Sequence, residues 1–541
     1  MALKRIVESL LRPFKEQLGL IVLFFLLSTS AELVYCIQTN DYKPFILNSA
    51  HGLLLSYLLS LVCSLVNGKQ RFIIVLFTSL LSLSCFIDWI CLIEFHSVFS
   101  GHFIPVILGT DNSEFQEFIV LHLNGILYGC VILGVILTVC FYFIKRRSGF
   151  GTFGSKMLLA ACLPCTALLF ISPEATHRII KEKSIEGKFI SSIDYIKSIP
   201  PRIPVNIPFD LTYSLDSLPK NICIIFGESL CRSHCQIYGY HKETMPLTKE
   251  RVLKDSLLVY TNITSSGTST IECFKSMMST YQEGLGDTIN YWECPSFLHV
   301  FQKAGYRNIW ISNQSKRGLY DNLIGNYADL CDTSFFIGDK YSGTRRTTKD
   351  GEVLPLLRSI KDQSPDYNLF IVHLMGSHAW FRERYPDEFT FFTENDYLDC
   401  PINQRTTLAE YDNSVRYTDW VVNEVFESFK NDEAIVFFFP DHGLDLFHTR
   451  PDYYDHAILS DPESCSFASE IPFIVYVSPK YQARFSDKVT IMVKSQDKKY
   501  NLENLIYTLM DTANISFKHN DDVKEKTLFS VYSDIQNKSS L

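Results

Sequence analysis

The sequence predicts two parts: an N-terminal transmembrane domain of five helices, and a C-terminal α/β domain on a central, mostly parallel sheet. Three observations predict this. Apolar runs nearly free of charge and roughly 20 residues long, the length that crosses a bilayer core, crowd roughly the first third of the 541 residues. Beyond residue 218, short runs rich in β-formers alternate with helical patterns, the rhythm of parallel strands and their crossovers. Several of those runs end abruptly in carboxylate, hydroxyl or imidazole side chains. In an open α/β sheet that edge is where ligands collect.

Composition agrees with the division. A hydrophobic content of 47% and a mean hydropathy of +0.06 are high for a wholly soluble protein. The net charge is −9, with acids and bases mixed through the C-terminal part. There is no basic stripe, so nucleic acid is excluded as a partner. Of the 16 cysteines, eight precede residue 166 in apolar segments, where a thiol behaves as a small hydrophobe. The rest are Cys223, Cys231, Cys235, Cys273, Cys294, Cys331, Cys400 and Cys465, and no C-x-x-C pair occurs among them. That excludes a cysteine zinc site and a thioredoxin-like motif.

The spans fall at 18–37, 45–66, 72–95, 118–144 and 157–171, the last being the shortest. Residues 1–17 carry Lys4, Arg5, Arg12 and Lys15 among apolar residues and read as an amphipathic segment at the membrane face. A signal peptide is rejected, because further spans follow and no small-residue cleavage site does. Lys69 and Arg71 occupy one turn, and Lys145, Arg146, Arg147 and Lys156 another, on the same side as the N-terminus; the alternate loops hold only Lys43 among basic residues. Basic loops stay in the cytoplasm, so everything after about residue 172 is expected outside. Asp88, inside the third span, is expected to make a structural hydrogen bond, since a free carboxylate there is costly. The expected domains are 1–172 in the membrane, a polar, proline-containing bridge over 173–218, and a catalytic domain over 219–541.

Four strand ends supply matching chemistry. Residues 222–226 run into Gly227-Glu228-Ser229, and 257–264 into Ser265-Ser266-Gly267-Thr268-Ser269-Thr270. Residues 369–375 run into Gly376-Ser377-His378, and 434–440 into Asp441-His442-Gly443. Singly, Glu228 reads as a helix cap and Asp441-His442 as a capped turn. Together, carboxylate, hydroxyl, carboxylate and imidazole make a four-ligand zinc site. Helices are expected over 293–303 and 410–429, and a closing helix over 500–513.

The segments GES, SSGTST, HLMGSH, PDHG and YGYHKETMP (238–246), in that combination, resemble the phosphoethanolamine transferases of the Gram-negative envelope. That family lies in the alkaline phosphatase and sulfatase superfamily, and the resemblance covers the whole chain. It implies a sulfatase-like domain in the periplasm, anchored in the inner membrane, working as a monomer. It implies one Zn²⁺ held by Glu228, Thr268, Asp441 and His442, with Thr268 as nucleophile. A metal would stabilise the alkoxide of an otherwise poor nucleophile. His378 and His456 match the family's additional histidines, which contact the phosphoryl group, protonate a leaving group or bind a second zinc; His448 rivals His456. Lys316 or Arg317 matches a lysine near the substrate phosphate. Thr110 and Glu114 match the pair that binds the head group of the donor, phosphatidylethanolamine, although Val106 replaces the family's Asn. The acceptor class is lipid A, lipopolysaccharide core or another envelope glycan, and the eight cysteines of the outer domain permit disulfides, of which the family uses several.

Two departures and two rivals complete the reading. The family's DHGE is Asp441-His442-Gly443-Leu444 here, and the missing Glu is not among the four ligands. A sulfatase would need a C/S-x-P-x-R segment near residue 268, and none occurs. A phosphoglycerol transferase of the lipoteichoic acid type shares the five spans and the metal-bound Thr, but uses Mn²⁺ and lacks the HLMGSH context. A catalytically silent membrane sensor on the same scaffold would be free to lose Glu228, Thr268, Asp441 and His442, all of which are present.

Overall fold

The computed structural model describes residues 8–39, 42–65, 70–95, 98–99, 123–145, 193 and 203–530, apart from 9, 15, 255, 283–289, 317–322, 339–347, 365, 458–460 and 519–521. Thr110, Glu114, Arg317 and the expected span at 157–171 lie outside the described residues. The chain divides into two compact units, one helical and one comprising Pro200–Leu541.

In the first unit, α1 (Leu18–Thr39), α2 (Lys43–Leu65), α3 (Gln70–Phe95) and α4 (Leu123–Lys145) follow the first four apolar runs to within a few residues. Among the described residues, two helices, over Leu18–Gln38 and Phe72–Glu94, are long and apolar enough to cross a membrane. Leu20, Leu23, Phe24 and Leu27 of α1 pack against Leu81 and Cys85 of α3. The Asp88 carboxylate accepts the Phe99 backbone N–H at 3.2 Å, a hydrogen bond of the kind the sequence calls for.

The second unit is a seven-stranded sheet with helices on both faces. Its strands are β1 (Asn221–Gly227), β2 (Leu257–Tyr260), β3 (Arg307–Ser312), β4 (Thr333–Phe336), β5 (Asn368–His373), β6 (Ala434–Pro440) and β7 (Phe473–Val477). They lie in the order β2-β7-β6-β1-β5-β3-β4. β7 runs antiparallel to β6 and β2, and the other pairings are parallel, so the sheet is mixed. β1, buried along its apolar length, sits at the centre, as a continuous hydrophobic run should. Ile222, Ile224 and Phe226 face one core and Cys223 and Ile225 the other, the two-residue alternation of a pleat.

Helices α5 (Pro246–Leu253), α6 (Thr270–Met277), α7 (Phe297–Lys303), α8 (Val353–Gln363), α9 (Ile402–Phe429), α10 (Pro462–Ser469) and α11 (Leu505–Thr512) surround the sheet. Phe274 of α6, Phe297 of α7 and Leu509 of α11 fill the first core; Leu357 of α8 and Val421 and Phe426 of α9 fill the second. Local signals start several of them. Ser296 caps α7 by accepting the His299 N–H, and Asp461 caps α10 ahead of Pro462. The segments expected at 257–264, 293–303 and 500–513 are shorter than anticipated, and α9 begins at Ile402 rather than near 410. All eight cysteines of this unit are free thiols, so the disulfides implied by the resemblance are not formed.

Candidate metal centre and active site

β1 and β6 are parallel neighbours, with Gly227 opposite Pro440. Their C-terminal ends therefore deliver Glu228 and Asp441-His442 to one place. Ligand atoms of these three buried residues lie within 4.8 Å of one another, and no other trio of His, Cys, Asp or Glu does so among the described residues. His442 Nε2 is 3.4 Å from Glu228 Oε1 and 3.5 Å from Asp441 Oδ2. The His442 ring donates from Nδ1 to the Gly443 carbonyl at 2.7 Å. Because a carbonyl can only accept, that bond fixes the tautomer and turns the Nε2 lone pair toward the carboxylates.

A cation fits this cluster. Asp441 Oδ1 accepts the backbone N–H of His442 at 2.8 Å and of Ser229 at 3.4 Å, whereas the buried Oδ2 accepts no hydrogen bond. Burial, and then the Asp441 charge beside it, push the Glu228 carboxyl well above its usual range. Two dry carboxylates facing one imidazole are strained as bare anions and satisfied by a divalent ion.

The hydroxyl that touches this cluster belongs to Thr270. Its Oγ1 lies 3.4 and 3.3 Å from the Glu228 oxygens and 3.3 Å from His442 Nε2. Thr270 is the first residue of α6, preceded by Ser269 in extended conformation. The first-turn N–H groups of a helix lack partners within it and favour an anion. Thr268, two residues earlier, donates its backbone N–H to Glu272 Oε2 at 3.4 Å.

A second loop closes on the first from β5. Gly376 adopts φ +52°, and a Cβ there would lie 2.7 Å from both the backbone N and O of Glu228. Only glycine fits that approach. Buried Asp350 holds the turn, accepting the N–H groups of Met375 (2.8 Å) and Gly376 (2.9 Å) and the Asn313 amide (2.7 Å). Ser377 donates its N–H to the Glu228 carbonyl at 2.9 Å, which brings the loop carrying His378 against the cluster.

The sulfatase family profile matches residues 220–515. The chain belongs to the sulfatase family. Phosphoethanolamine transferase EptC of Escherichia coli K12 is 28% identical over 316 residues, 57% of this chain and 53% of that protein. Phosphoethanolamine transferase CptA of Salmonella typhimurium is 25% identical over 319 residues, again 57% and 53%. The chain thus spans about half the length of the curated relatives it matches. The C-terminal periplasmic domain of Escherichia coli EptC, solved in complex with Zn, superposes with a TM-score of 0.53 at 25% identity, covering 60% of this chain and 90% of that one. The integral membrane lipooligosaccharide phosphoethanolamine transferase A of Neisseria meningitidis shares the fold across both parts. Its TM-score is 0.63 at 19% identity, covering 94% of this chain and 95% of that one.

In this sulfatase-family chain the remaining expected residues separate. The His456 ring stands 4.8 Å from that of His442, with Nδ1 bonded to Asp455 at 2.6 Å. His448 instead stacks on Phe467 at 4.1 Å and contacts Ser233. His378 is partly buried with its Nδ1 shielded from solvent, and desolvation, then Arg384, then the neighbouring histidines depress it to about 3. Lys316 pairs with Asp329 at 2.6 Å. The sequence reading passed over Thr270, Asp350, Ser229 and Tyr411. A signal existed for the first: Ser269-x-x-Glu272 has the spacing of a helix start, which makes Thr270 the first helical residue.

Proposed function

We propose that this chain transfers phosphoethanolamine from phosphatidylethanolamine to lipid A, lipopolysaccharide core or another envelope glycan, at a catalytic domain on the periplasmic side of the inner membrane. The names of the relatives and the membrane-length helices support the class of reaction and its setting. The contact of the Thr270 hydroxyl with both Glu228 and His442 carries the assignment of the site. On that contact we propose Thr270, rather than Thr268, as the nucleophile.

Zn²⁺ held by Glu228, Asp441, His442 and the Thr270 oxygen would stabilise the alkoxide and neutralise charge on the phosphoryl group. Thr270 Oγ1 attacks phosphorus, the bond from phosphorus to the diacylglycerol oxygen breaks, and phosphoethanolamine is left on Thr270. The departing oxygen takes a proton from His456, whose Nδ1 is held by Asp455 and whose ring remains half exposed. His378, kept neutral by desolvation of its ring, suits hydrogen bonding to the phosphoryl group better than proton donation. In the second half the acceptor hydroxyl or phosphate attacks, gives up any proton to His456, and Thr270 leaves. Two bulky membrane-bound substrates thereby use one site in turn.

The test is transfer by the purified full-length chain from phosphatidylethanolamine to lipid A, read by mass spectrometry. Modified lipid A that disappears on chelation and returns with Zn²⁺ is the expected result. Phosphatidylethanolamine left intact with every envelope acceptor offered would overturn the reading.

A further inference from the structure

We propose that Tyr411 is a positioning residue of this site, acting through Ser229 to set both carboxylates of the metal centre; the inference rests on the metal reading above. Ser229 adopts φ +55°, a left-handed conformation that residues with a side chain adopt only under constraint. In that conformation it serves two ligands at once. Its hydroxyl donates to Glu228 Oε1 at 2.8 Å, and its backbone N–H points to Asp441 Oδ1 at 3.4 Å. A peptide in ordinary extended geometry would not direct both donors to the same cluster.

What holds Ser229 there comes from α9. The Tyr411 hydroxyl donates to the Ser229 carbonyl at 2.8 Å and accepts the Cys231 N–H at 2.8 Å, bracketing the turn that follows Glu228. Tyr411 is fully buried, its ring packed edge-on by Phe381 at 4.9 Å and His234 at 5.1 Å. Packing fixes the ring, so removing the hydroxyl removes the bracket and little else. Groups that orient metal ligands from behind change metal affinity by roughly 10- to 100-fold when lost.

The experiment compares Zn²⁺ affinity of the full-length chain, by competition with a fluorescent chelator, for wild type, Tyr411→Phe and Ser229→Ala. Melting of the metal-free proteins serves as the control for folding. Both variants should melt near wild type without metal and bind Zn²⁺ about 10- to 100-fold more weakly. If Tyr411→Phe fails to fold, Ser229→Ala, which removes one exchangeable hydroxyl, decides alone. Wild-type affinity in the folded variants overturns the inference and leaves the metal reading intact. A wild-type chain that binds no Zn²⁺ overturns both.

Discussion

The two threonines of the Gly267–Thr270 loop share a side chain and differ in surroundings. Thr270 Oγ1 lies within hydrogen-bond reach of Glu228 and His442 at the start of a helix, whereas Thr268 contributes a backbone N–H to Glu272. A nucleophile needs the first setting, because only there is its alkoxide stabilised by the neighbouring charge. Thr270→Ala is expected to lower transfer roughly 10³-fold or more, the scale of losing an attacking group. Thr268→Ala should stay within about tenfold of wild type, measured as phosphoethanolamine transfer under the same conditions. Glu228, Asp441 and His442 were legible because each follows an apolar run directly. The choice between two hydroxyls depends on the path of an irregular turn that no periodicity encodes. Tyr411 was invisible for another reason: its role exists only through contact with residues about 180 positions away.

At the scale of elements, the turn after β5 joins the cluster to the sheet. Replacing Gly376 by Ala sets a methyl group against the Glu228 backbone and asks a chiral residue to hold φ +52°. A destabilisation of more than about 1 kcal/mol is expected, with weakened Zn²⁺ binding, checked by melting and by metal titration. His373 ends β5, packed between Phe226, Phe274 and Trp310, and burial depresses it to about 4. The unfolded chain takes up this proton below about pH 6.5, while the folded chain resists until about pH 4. Stability therefore falls as pH drops through that window, by on the order of 3 kcal/mol in full. The drop in melting temperature from pH 7 to pH 5 should be smaller for His373→Gln than for wild type. The strands at the centre of the sheet were readable as apolar runs bounded by polar residues. The reversal of β7 was not, since FIVYV carries no mark of direction. The eight-residue addition to α9 was hidden because Asn403 to Thr407 are polar and the apolar residues around them, Ile402, Leu408 and Ala409, are too few to show a helical period.

For the whole molecule, the two units obey different rules. Apolar length wrote the first, and alternation of strands with helices wrote the second, which is why the division was legible before the details of either. The asymmetry of basic residues predicts that reporter fusions after Arg147 and after Leu218 lie on opposite sides of the membrane. Both on one side would refute that topology. On the function proposed above, two large lipid-borne substrates favour a covalent intermediate, because donor and acceptor need never occupy the site together. The most direct measurement is therefore the mass of the full-length chain after incubation with phosphatidylethanolamine alone, followed by peptide mapping. A phosphoethanolamine adduct on Thr270, absent from Thr270→Ala and retained by Thr268→Ala, is the predicted result. An adduct on Thr268, or transfer at the normal rate by Thr270→Ala, would contradict it.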